Sequence, residues 1–209
     1  MNIVVGVFDL FTYAVAGGLY VALAGYVGDR LDLVHLASLN SVNGVLLVIG
    51  AVVLSYLCGI LAYPLGALLN RVVPHKRRDP RAEFRRRNPA ARDRDYVDAD
   101  SFLLLSALQM HDMDAATEVN RLRASGLMAR NSGPALVLAA VTALVEAFTS
   151  GHPVLAAVCA VALGAASVLL VLQGRRLGYM ASIKTLELCF WLPDIDDKTV
   201  DDRTRSAKP

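Results

Sequence analysis

The sequence predicts an all-α polytopic membrane protein: four transmembrane helices, a cytosolic helical hairpin between the second and third, and a C-terminal amphipathic helix. Three observations carry that prediction. Hydrophobic residues make up 55% of the 209-residue chain and charged residues only 19%, whereas a soluble domain usually carries about 25% charge. The deficit is segregated: residues 3–27, 41–69 and 134–172 are nearly free of charge, and residues 70–133 and 174–209 hold almost all of it. The cations are also distributed unevenly. Of 21 Lys and Arg residues, 13 fall in 70–133, seven follow the fourth apolar run, and Arg30 alone lies between the first two runs. Basic residues flanking spans are retained on the cytoplasmic side. The expected arrangement in the cell (inner) membrane therefore has both termini cytoplasmic, two small outer loops and one large cytosolic loop.

The first span, about Ile3–Val27, has no Lys or Arg ahead of it and exceeds the apolar core of a signal peptide, so it reads as a mature helix. The second, about Ser41–Leu69, is longer than the roughly 20 residues that cross the hydrocarbon. Pro64 in its last third is expected to kink it. Residues 1–70 thus form a first pair of spans. In 71–100, arginines alternate with acids, and Pro74, Pro80 and Pro89 punctuate the run. This basic loop is expected as short turns with partial disorder.

Asp100 or Ser101 can cap a helix beginning at Phe102. His111-Asp112-Met113-Asp114 interrupts it, and Asp112 or Asp114 starts a second arm, giving a hairpin over 101–133. Gly133-Pro134 marks the entry to the third span, about Pro134–Thr149. Gly151-His152-Pro153 is a tight turn, and the fourth span runs about Val154–Gln173, so 134–173 form the second pair. Arg175 and Arg176 stop it at the headgroups. Within 174–209, Leu177, Met180, Ile183, Leu186 and Phe190 recur at helical spacing. They predict an amphipathic helix on the membrane surface or folded onto the hairpin, followed by a charged tail.

Lipid supplies no hydrophobic drive between helices, so small residues at four-residue spacing mark faces that can approach. Ala14, Gly18 and Ala22 form such a row in the first span, and Ala51, Ser55 and Gly59 in the second. Ala135, Ala139, Ala143 and Ala147 run along the third, and Ala156, Ala160 and Gly164 along the fourth. They serve packing within the bundle or contacts between subunits of a homo-oligomer.

Two acids stand inside apolar spans: Asp9 near the cytosolic end of the first and Glu146 near the outer end of the third. A carboxylate in hydrocarbon is costly and faces water or the bundle interior. One reading makes them pore-lining acidic rings of an oligomer; the other hydrates or pairs them near an interface. Asn43 caps the second span or bonds across helices, and Tyr13, Tyr20 and Tyr56 lie deep enough to hydrogen-bond within the bundle. Lys76, Arg77, Arg78, Arg175 and Arg176 are candidate contacts to lipid headgroups. Interleaved acids weigh against nucleic acid as a partner. Cys58, Cys159 and Cys189 have no ligand spacing and read as buried or lipid-facing thiols. No nucleophile elbow, phosphate-binding glycine loop or HExxH occurs, so no catalytic residue, metal or cofactor is expected.

These features point to an oligomeric, pore-like or membrane-perturbing effector controlled from the cytosol. The alternative is a non-conducting anchor or scaffold that recruits a soluble cytosolic partner through 101–132. In architecture alone, a small four-span protein with a cytosolic hairpin resembles membrane subunits of bacterial defence or stress systems, antiviral defence included. That resemblance transfers no residue roles. Cysteines introduced one at a time into a cysteine-free background should react with an impermeant external thiol reagent at 29–38 and 150–153. External labelling within 76–95 would overturn the topology.

Overall fold

The computed structural model describes residues 3–33, 43–74, 78–149, 151–192 and 195, with side chains from Leu10 onward. The described elements are all helical: α1 Ile3–Arg30, α2 Gly44–Val72, α3 Pro80–Arg87, α4 Ser101–His111, α5 Met113–Thr149 and α6 Pro153–Phe190. Four of them, α1, α2, α5 and α6, are long and apolar enough to cross a membrane. The chain divides into two compact units. Met1–Pro74 with Ala124–Arg175 makes a membrane unit, and His75–Arg123 with Arg176–Pro209 makes a charged unit.

In the membrane unit, α1 and α2 pair through small residues. A Cβ on Gly17 would lie 1.6 Å from the Ser55 carbonyl oxygen, and one on Gly59 would lie 2.0 Å from that of Tyr13. Backbone therefore touches backbone, which only glycine permits at these two points. Ala16 and Ser55 are buried beside these glycines, and Ala62 and Gly66 continue the buried face of α2, Gly66 against Asn131 of α5. Large apolar side chains such as Val48, Leu57 and Leu61 point outward, as lipid-facing positions do. The Asn43 side chain caps α2 by accepting from Val45 N at 3.0 Å. α1 closes with Asp32 at φ 54° and Leu33 N donating to Gly28 O at 2.9 Å, a left-handed C-terminal closure.

The packing row expected in the first span is out of phase. Ala22 is exposed, Ala14 and Gly18 are half-buried, and a Cβ on Gly18 would meet only Ser55 Oγ at 3.7 Å. In the second span Ser55 and Gly59 do form the seam, while Ala51 is exposed. Ala135 is buried in the third span. Ala156, Ala160 and Gly164 are half-buried, and nothing approaches within 4 Å of a Cβ on Gly164.

Two expected breaks are absent. α5 passes through Pro134 without a new start, so the second arm of the expected hairpin is not a separate helix. Proline removes one backbone donor and crowds the preceding turn. Other helices support that turn: Ser167 Oγ donates to Gly133 O at 2.9 Å and Tyr20 Oη to Asn131 O at 3.3 Å. α6 likewise continues from the fourth apolar run to Phe190, so the expected C-terminal amphipathic helix is its extension. At Gly174 a Cβ would lie 2.8 Å from Gly126 O, so this glycine serves a close helix approach and does not end the helix.

The charged unit is packed by large side chains. Residues 78–100, expected as turns with partial disorder, form α3 and two 3-10 turns, Pro89–Ala91 and Asp95–Asp98. Asp79 caps α3 at Arg81 N, 2.9 Å, with Pro80 in the first turn. Phe84, Ala91, Tyr96 and Val97 are buried with Leu104 of α4, Leu186 and Cys189 of α6, and Ile195. Asp100 caps α4 and Asp112 caps α5. Leu108 packs with Ala116, Val119 and Ala181. The α6 extension therefore covers one face of α4, as its apolar spacing requires.

Substituting Gly17→Ala should separate α1 from α2, because the opposing atom is backbone and cannot yield; overpacking costs about 1–3 kcal/mol. Gly18→Ala should be nearly neutral. Thermal unfolding of the two variants in detergent checks the difference, and equal midpoints would refute the seam.

Candidate functional site

The charged unit carries two adjoining clefts that share Arg78, Arg87 and Tyr179. The more basic one, about 460 Å³, is also lined by Leu122, Arg176, Met180, Ile183, Lys184 and Glu187. Its wall is built from α6, where residues 176, 180, 183, 184 and 187 share a helical face. Arg87 comes from the end of α3, and Arg78 from just before the Asp79 cap.

The acids around the clefts are largely committed. Asp79 caps α3. Glu83 takes Arg86 Nη2 and Arg87 Nε, each at 2.8 Å. The Arg86 and then the Arg87 hydrogen bonds hold its carboxyl below the ordinary value of 4.5. Arg85 pairs with Asp98 at 2.8 Å, and Arg81 donates to Ala99 O at 3.0 Å. Among the described residues, Arg78, Arg176 and Lys184 form no ion pair. The cleft thus presents three uncommitted cations, a phenol and an apolar floor, opposed by Glu187. That composition suits an anionic group beside a small apolar one.

Of the residues singled out as lipid contacts, the structure brings Arg78 and Arg176 together in this cleft. Lys76 and Arg77 lie outside the described residues. Arg175 sits in the membrane unit and is turned elsewhere: its guanidinium donates to Asn70 Oδ1 at 2.6 Å, to Asn70 O and to Val73 O at 2.8 Å, closing the end of α2. Arg87, Tyr179 and Lys184 carry no distinguishing sequence signal, since only the packing of α3 sets them around one space.

The acids of the spans have separate fates. Glu146 accepts a hydrogen bond from Tyr26 Oη and lies 3.7 Å from Arg30 Nε. The Asp9 side chain lies outside the described residues. Tyr20 hydrogen-bonds within the bundle as expected, whereas Tyr13 and Tyr56 meet edge to face at 6.0 Å. Cys58 is half-buried, Cys159 exposed on the fourth span and Cys189 buried in the charged unit.

Because Glu83 ties Arg86 and Arg87 together in its ionised form, its support of α3 is present at neutral pH. It is lost as pH falls through its depressed pKa, below 4.5. Hydrogen exchange across 80–87 should therefore be faster in Glu83→Gln than in the parent at pH 7, with the difference vanishing in acid. A difference that persists in acid would refute the ionic origin. In comparisons with protein-family models, curated proteins and solved structures, nothing matches this chain.

Proposed function

We propose that the protein is a multi-pass inner-membrane anchor, both termini cytoplasmic, whose charged unit recruits a soluble cytosolic protein through α4. One observation carries this reading: α4 has two apolar faces, and among the described residues only one is covered. Leu104 and Leu108 are buried in the unit's core. Phe102 is 73% exposed, Met110 is 85% exposed, and Leu103 and Met113 are exposed beside them. Residues 103, 106 and 110 fall on one helical stripe of α4, and Met113 opens α5 just beyond the break at Asp112. An unpartnered amphipathic face of this kind docks into an apolar groove, with methionine adapting to its shape. Asp100, Asp112 and Asp114 stand at the two ends of the stripe. They oppose an anionic membrane surface and favour a soluble partner with a basic rim.

A second reading, an oligomeric effector controlled from the cytosol, draws support from the basic cleft, where a soluble anion would act as the controlling ligand. The pairing of Glu146 with Tyr26 and Arg30 weighs against this acid as a free pore-lining carboxylate.

A photo-crosslinking residue at Met110 of the full chain, in native membranes, separates these readings. The expected result is an adduct with a soluble protein that disappears in Leu103→Asp while membrane abundance is unchanged. Adducts only between copies of this chain would favour the oligomeric effector and overturn recruitment; adducts only with lipid would also overturn it.

A further inference from the structure

Three helices of the membrane unit bring polar side chains together where their apolar runs end. A Cβ on Gly66 of α2 would lie 2.6 Å from Asn131 Oδ1 of α5, and one on Gly174 of α6 would lie 3.4 Å from Arg130 Cβ. Asn70, one turn beyond Gly66, holds Arg175. Asn131 is wholly buried (0% exposed), and neither Oδ1 nor Nδ2 has a partner. Arg130 Nε and Nη2 and Arg175 Nη1 are buried and equally unpartnered. Arg130 stacks over the Tyr63 ring, 4.8 Å to its centroid. Stacking covers one face of the guanidinium and leaves the N–H groups on its edge free. Among the described residues no carboxylate bonds either arginine.

Two half-buried guanidiniums thus carry buried N–H groups with no counter-charge among the described residues, an arrangement that is costly unless an anion completes it. The open donors fit oxygens of a phosphate: guanidinium edges from Arg130 and Arg175 and an amide from Asn131. Position selects the source. Arg175 lies two residues beyond Gln173, about 3 Å along the helix, and Arg130 four residues before Pro134, about 6 Å. Both therefore stand at headgroup depth on the basic-flanked side, where clefts between spans hold anionic headgroups. We propose that Arg130, Asn131 and Arg175 form an interhelical site for the phosphate of an anionic phospholipid. The site rests on the membrane reading of the chain and is independent of recruitment through α4.

The test uses the purified full chain in nanodiscs. With phosphatidylglycerol mixed into phosphatidylcholine, it should unfold at a higher temperature than in phosphatidylcholine alone and keep phosphatidylglycerol through delipidation. Arg130→Gln should weaken that retention about tenfold, and Arg71→Gln, an exposed cation near the end of α2 and outside the site, should leave it unchanged. Equal stability in both lipids would overturn the proposal, because a counter-charge from the chain itself, Asp9 included, makes lipid charge irrelevant. An equal loss in Arg71→Gln would overturn it in favour of general surface attraction. Full stabilisation by inorganic phosphate in phosphatidylcholine would overturn the lipid assignment in favour of a soluble anion. Should Arg130→Gln fail to fold, the parent protein in the two lipids decides alone.

Discussion

Hydrocarbon offers no partner to a backbone N–H or C=O, so every crossing segment must satisfy its own backbone, and helices can join only where side chains let them come close. The seam between α1 and α2 follows from that constraint. Gly17 faces the Ser55 carbonyl and Gly59 faces that of Tyr13 at distances that exclude any side chain. With the seam built from small residues, the large apolar residues of α2 are left for the outer surface, where Val48, Leu57 and Leu61 lie exposed. Their burden is met by lipid, and they add little to helix association.

The same constraint explains where polar side chains enter the bundle. Pro134 would weaken a lone helix, yet α5 runs through it, and hydroxyls from α1 and α6 donate to carbonyls of the preceding turn. Arg175 gives several donors to the last turn of α2, where carbonyls lose their intrahelical partners. Glu146 meets Tyr26 and Arg30. Each group has its partner on a different helix, so the polar contacts fix which helices are neighbours more tightly than small residues alone can. The side chains of Arg130 and Asn131 stand apart, because their buried polar atoms have no hydrogen-bond partner among the described residues.

The charged unit obeys the opposite rule, since water makes burial of large apolar groups favourable. Segments too short to be stable alone, α3 and two 3-10 turns, hold together because Phe84, Tyr96 and Val97 reach a common core with Leu104, Leu186 and Cys189. Ion pairs such as Arg85–Asp98 and the Glu83 cluster sit at the rim of that core. There they orient arginines around the clefts and contribute little to stability. The basic cleft and the bare face of α4 are what remains after the core has taken its share of each helix.

By itself, the sequence determined the features that depend on neighbours in the chain. Four apolar runs long enough to cross a bilayer and Ser55 with Gly59 as a close-packing pair were legible, because composition and local spacing carry them, and the caps at Asn43, Asp100 and Asp112 were legible as one of two readings each. Of the cleft, Arg78 and Arg176 were legible as basic residues flanking spans, but Arg87, Tyr179 and Lys184 were not. Tertiary structure alone decided the phase of the α1 seam, where Gly17 displaces the row of Ala14, Gly18 and Ala22. It also decided the continuity of α5 through Pro134, the ordered packing of 78–100, the partners of Glu146 and the isolation of Asn131. These share one physical reason. A helix offers several faces of similar chemistry, and which one is buried depends on residues tens of positions away, whose approach no local pattern records.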